Sequence, residues 1–106
     1  MITGFVADGT ITATDAGVDI PVVANFVAGE NWYLVRLWNA GTSNRVMLCA
    51  PGATADVNVG ETASTSGEVV QLGPYSRAML SANPKAICAA AATSAVRYTI
   101  YTVVGP

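Results

Sequence analysis

The chain has 106 residues, of which 52% are hydrophobic and only 11% charged, with a net charge of -2 and no histidine. That length fits one domain, residues 1–106, without room for a second core, and the charged fraction is well below the roughly 25% of an ordinary soluble domain. Arg36, Arg45, Arg77, Lys85 and Arg97 are scattered singly, which argues against direct nucleic-acid binding, and no run of about 18 apolar residues offers a membrane-spanning helix.

Short β-branched and aromatic runs separated by Gly, Pro, Asn and Ser dominate the chain, the pattern of a sheet protein with tight turns. Residues 1–18 read as a weak strand at Ile2–Val6, a turn at Asp8-Gly9 and a return at Thr10–Ala13. Alternatively, this Gly-containing stretch serves as an extended N-terminal arm that adds a strand to a neighbour's sheet edge. No basic segment followed by an apolar core opens the chain, so no export signal is read and synthesis in the cytosol is expected. Asp19–Ala24 follows as an edge strand, because Pro21 cannot donate to a ladder.

Trp32–Trp38 is the clearest strand, and with Arg45–Ala50 it is expected to form a hairpin about Asn39–Asn44. Pro51-Gly52 stops the return, and a polar loop runs on to Gly67 with a short strand expected at Asp56–Val59. Glu68–Leu72 and Ser76–Ala82 flank a corner at Gly73-Pro74, and Ala86–Ala92 with Ala95–Val104 form a last hairpin about Thr93-Ser94. The alanine run Ala89–Ala92 favours helix intrinsically, but strand formers surround it and it is read as strand.

Seven to nine short strands in so short a chain predict an all-β fold, a two-sheet antiparallel β-sandwich of immunoglobulin-like or jelly-roll type. Trp32 and Trp38 both precede Cys49, an order that disfavours the immunoglobulin disulfide core.

Chemistry is sparsely represented. Histidine, the most versatile acid and base, is missing, and the carboxylates lie almost entirely in turn-like segments. No GxSxG elbow, GxGxxG loop or P-loop occurs. The chain is therefore expected to be no enzyme, with no catalytic residue and no cofactor. Asp15, Asp19 and Asp56 could offer oxygens to calcium, but their spacing is not that of an EF-hand and they read as solvated turn residues, so no metal is expected. Cys49 and Cys88 read as two reduced, buried thiols, a bridge between strands being the alternative.

Alternation assigns Tyr33, Val35 and Leu37 to one face of their strand and Trp32, Leu34, Arg36 and Trp38 to the other. Both faces are largely apolar. Either all these side chains are core, or the second face is an interface, since Trp and Arg are enriched in binding hot spots and a guanidinium can stack on indole. The last strand repeats the pattern, its second face carrying Arg97, Thr99, Tyr101 and Val103 with a single charge. Trp32, Leu34, Arg36, Trp38, Arg97 and Tyr101 are the candidate interface residues.

The segment from Trp32 onward, with Val70, Leu72, Pro74 and Ala78 spaced as Val-x-Leu-x-Pro-x-x-x-Ala ahead of Ala86-Ile87-Cys88-Ala89, resembles small β-sandwich virion proteins of tailed bacteriophages, the capsid decoration (cement) proteins and head or tail accessory proteins. The resemblance covers about two-thirds of the chain and implies a non-enzymatic structural protein of the virion. Such a protein binds the capsid lattice or other copies of itself, often as trimers, and stiffens the shell by bridging its units. Aromatic rows also bind sugars, so a carbohydrate-binding or adhesion module is the alternative.

Overall fold

A computed structural model describes residues 1–26, 32–51 and 58–105. Eight strands run along it: β1 (Ile2–Ala13), β2 (Val18–Asp19), β3 (Trp32–Asn39), β4 (Met47–Cys49), β5 (Asn58–Glu61), β6 (Val69–Ser76), β7 (Lys85–Ile87) and β8 (Ser94–Val103). They form two four-stranded antiparallel sheets. The long sheet has the order β1-β8-β3-β6, and the short sheet the order β2-β7-β4-β5. This is the two-sheet sandwich expected from the spacing of strand and turn signals.

The pairing is nested. β1 lies beside β8, β2 beside β7, β3 beside β6 and β4 beside β5. The chain thus doubles back as one ribbon with the β4–β5 pair at its middle, and the ribbon rolls over until β8 meets β3 and β7 meets β4. That is the jelly roll. In an immunoglobulin sheet the first strand lies beside the second; here it lies beside the last.

The core fills the space between the sheets. Tyr33, Val35 and Leu37 of β3 and Val96 and Ile100 of β8 point inward and are fully buried, meeting Leu48 and Ala86 of the short sheet together with Ile20, Val22, Val46, Leu72 and Leu80. Each large aliphatic or aromatic side chain buried here stabilises the fold by about 1.5–3 kcal/mol relative to exposure.

Nested pairing changes several local expectations. The expected hairpin from Trp32 to Ala50 does not form, because β3 belongs to the long sheet and β4 to the short one. The same crossing separates β7 from β8, so the expected terminal hairpin is also absent. Only β4 and β5, among strands consecutive in sequence, share a sheet. The alanine run is a turn and not strand: Ala92 N–H donates to the Ala89 carbonyl, and Ala91 takes a positive φ of 61°.

Asp8-Gly9 makes no turn either. β1 passes straight through it, with Asp8 opposite Thr99 and Gly9 opposite Tyr98. A Cβ at residue 9 would come within 2.5 Å of the Tyr98 hydroxyl, so the glycine lets β1 lie close over that ring. Residues 2–13 are consequently no free arm but the edge strand of the chain's own sheet.

Asp19–Ala24 shortens to β2 followed by a 3-10 turn at Val23–Asn25. Past β2, the Val22 N–H donates to the Ile20 carbonyl and Pro21 has no N–H to offer a ladder. Gly73-Pro74 is a bulge inside β6 opposite β3, with Gly73 at φ 108°. The strand expected at Ser76–Ala82 does not form, since Ser76 ends β6 and a 3-10 turn occupies Arg77–Met79. Of the strand expected at Asp56–Val59, Asp56 and Val57 lie outside the described residues, while residue 58 begins β5.

A buried polar knot holds the corner where β3 leaves the long sheet. The Asn39 amide, fully buried, donates to the carbonyls of Asn44 (2.8 Å) and Ala63 (2.8 Å) and to the Thr62 hydroxyl (3.1 Å). Its oxygen accepts from the Gly41 N–H (3.0 Å) and the Ser94 hydroxyl (2.6 Å). Thr62 in turn accepts from the Val46 N–H at 3.1 Å. One side chain therefore links the exit of β3, the segment after β5 and the start of β8, and no buried side-chain polar atom among the described residues lacks a partner.

Candidate interface on the long sheet

Both faces of the long sheet carry bulky side chains, but only one is covered by the short sheet. The register arranges the outer face in rows across the strands. Phe5, Tyr101 and Leu34 are successive cross-strand partners, as are Asp8, Thr99, Arg36 and Gln71, and then Thr10, Arg97, Trp38 and Val69. Beyond the first row, Ile2 opposes Val103, and Trp32 opposes Ser76.

All six candidate residues stand on this face. Leu34 is covered at 7% exposure, and Trp32 and Tyr101 are partly buried. Arg36 and Arg97 are exposed, and Trp38 keeps 42% of its surface in solvent. The Phe5 and Tyr101 rings meet edge to face at 6.5 Å between centroids, a favourable aromatic geometry. A shallow groove of about 220 Å³ is lined by Arg36, Trp38, Val69, Thr99 and Tyr101.

Phe5, at 62% exposure, and Val69, at 38%, complete the apolar surface and were not among the residues expected there. Each lies on a strand whose place beside β8 or β3 comes from pairing distant in sequence. The available signal was the alternation in Val69-Val70-Gln71-Leu72, which sends Val70 and Leu72 inward and leaves Val69 outside. Stacking of an arginine on indole is not found among the described residues; Arg77 instead lies over the Phe26 ring, 5.2 Å from its centroid.

Away from this face, several ionisable groups among the described residues are held within the scaffold. Arg45 pairs with Glu61 at 3.5 Å, Lys85 pairs with Asp19 across β7 and β2, and Asp15 accepts the Ala91 N–H at 3.1 Å. Asp56 lies outside the described residues. Among the described residues no three His, Cys, Asp or Glu side chains cluster as a metal site would require.

Cys49 and Cys88 are both buried and are not bridged to each other. Burial pushes the Cys88 thiol up in pKa, the negative charge of Asp15 adding to the shift, and its Sγ lies 3.6 Å from the Ala13 carbonyl oxygen as a weak donor. Burial likewise raises the Tyr75 hydroxyl. Both effects favour the protonated forms and lower the reactivity of these groups.

Among the described residues no helix is long and apolar enough to cross a membrane. The fold and surface together define a jelly-roll sandwich with an open aromatic and arginine-bearing sheet face. No protein-family model, no curated protein and no solved structure matches this chain.

Proposed function

We propose that the chain is a non-enzymatic structural protein of a phage virion, a capsid decoration protein that docks on the shell through the outer face of its long sheet. The observation that carries this reading is the exposure of Phe5, Trp38 and Val69 beside Arg36 and Arg97 on one sheet face of a chain with only 11% charged residues. Apolar patches of that kind are characteristic of contact surfaces, and aromatic and arginine side chains dominate binding hot spots. Viral capsid domains are among the users of the jelly roll, although the fold by itself assigns no function. The capsid assignment adds the resemblance of the Trp32-to-C-terminal segment to virion sandwich proteins.

Size supports many weak contacts over one strong pair. Four strands about 4.8 Å apart and about 30 Å long offer a face of roughly 600 Å², below the roughly 800 Å² that each partner contributes to a standard stable complex. A lattice on which each copy touches several neighbours gains strength by multivalency. The test is co-sedimentation with expanded capsid shells of tailed phages, combined with light scattering of the free protein. Wild type should co-sediment, and Trp38→Glu should stay folded by circular dichroism yet remain in the supernatant. A solitary monomer that binds no shell would overturn the reading.

A second reading has its own support. The open groove between Trp38 and Tyr101, with Thr99 and Arg36 on its walls, offers aromatic surface beside polar donors, as sugar sites do. A carbohydrate-binding role requires tryptophan fluorescence to shift with some member of a glycan panel, and a flat response across the panel rejects it.

A further inference from the structure

We propose that the surface recognised by the outer face of the long sheet is an acidic protein segment, one carboxylate of which is held between Arg36 and Arg97 while an apolar neighbour enters the groove beside Trp38. This rests on the docking face proposed above and states what fits it.

Cation accounting leads there. Of the five cationic side chains, Arg45 and Lys85 have carboxylate partners and Arg77 lies over Phe26. The two that remain, Arg36 and Arg97, have neither an acidic nor an aromatic partner among the described residues, and both stand exposed on the same face. Because Arg36 opposes Thr99 and Trp38 opposes Arg97, the two arginines are diagonal neighbours, with Cβ atoms about 7–8 Å apart. Two guanidinium groups so placed reach a common carboxylate, and each forms charge-assisted hydrogen bonds stronger than neutral ones. Asp8, the acidic residue of this face, opposes Thr99 and is thereby the diagonal neighbour of Arg97, with which it forms no ion pair, and it lies across β8 from Arg36, about 10 Å away at ordinary strand spacing.

The arrangement also argues against the same face of a second copy as occupant. Two-fold packing of the face on itself brings four guanidinium groups together, and like charges in a closing interface are repulsive. An acidic partner removes that repulsion. A peptide suits the site because Val69 and Tyr101 line the groove beside the two arginines with surface that receives an aliphatic side chain next to a carboxylate.

The experiment is an amide NMR titration of the whole chain with an alternating Glu-Leu octapeptide, its Gln-Leu counterpart and oligogalacturonate. The acidic peptide should shift amides clustered at 34–38 and 97–101, and the Gln peptide should bind about ten-fold more weakly or not at all. The variant carrying Arg36→Gln and Arg97→Gln, changed only at exposed positions, should keep the wild-type spectrum and lose about ten-fold in affinity for the acidic peptide. Equal binding of both peptides, shifts centred elsewhere, or none at millimolar peptide would overturn the inference. Binding of oligogalacturonate at these residues with the Glu peptide silent overturns it in favour of a glycan. If the double variant still co-sediments with shells while Trp38→Glu does not, the docking face stands and the acidic partner falls.

Discussion

Asn39 is the residue on which the sandwich corner depends. It occupies a position that sequence reading gives to a polar turn, yet it is fully buried and its amide satisfies five neighbours. Replacing it with alanine strands buried donors and acceptors on three segments, and each such group costs about 1–3 kcal/mol. Asn39→Ala should therefore lower unfolding stability by about 3–5 kcal/mol, read as a fall in the urea midpoint. Ala91 presents the opposite case. Its φ of 61° costs an L-residue about 1 kcal/mol, and glycine escapes that cost while losing somewhat more entropy on folding. Ala91→Gly should raise stability by about 0.5 kcal/mol, detected as a small increase in thermal midpoint.

At the scale of elements, the two sheets are held by different means. The long sheet has strands of 8 to 12 residues with long ladders, interrupted by register shifts in the β1–β8 and β3–β6 pairs, whereas β2 has only two residues. What fixes β2 is the burial of Ile20 and Val22 immediately after it, with the Ile20 N–H donating to the Pro84 carbonyl at 2.9 Å. The Lys85–Asp19 ion pair between β7 and β2 is largely exposed, at 38% and 55% of side-chain surface, and such pairs contribute about 0–1 kcal/mol. Ile20→Ala should accordingly cost about 2–5 kcal/mol, while Asp19→Asn should cost less than about 1 kcal/mol. Comparing the two variants in one denaturant series checks the order, and a larger loss for Asp19→Asn would place the anchor in the ion pair.

For the whole molecule, the first and last strands close the long sheet, with Ile2 opposite Val103. Pairing that distant in sequence is slow to form, and refolding in the millisecond-to-second range is expected. Stability against pH follows from which groups titrate. With no histidine in the chain, little should change between about pH 5.5 and 7. Burial raises both Cys88 and Tyr75, Asp15 adding to the shift of Cys88, so the folded state holds their protons more tightly than the unfolded chain does. Their contribution is fully present below the unfolded values, about 8.5 for cysteine and 10 for tyrosine. It is lost as pH rises through the folded values. Thermal midpoints measured at stepped alkaline pH should decline from about pH 8.5 upward, with Cys88→Ala removing the first part of the decline.

The all-β class, the sandwich, the inward row Tyr33, Val35 and Leu37 and the six residues of the outer face were legible in the sequence, because side-chain alternation is a local property of an extended backbone. Turn chemistry misled wherever a glycine or a small residue served packing between distant strands. Gly9 makes room for Tyr98, and Ala89–Ala92 turns the chain from one sheet to the other. Strand partners, the meeting of Phe5 with Tyr101 and of Val69 with Trp38, and the isolation of Arg36 and Arg97 were decided only by the tertiary structure. Nested pairing brings together residues as distant as Ile2 and Val103, and no local pattern records which of two sheets a strand will join.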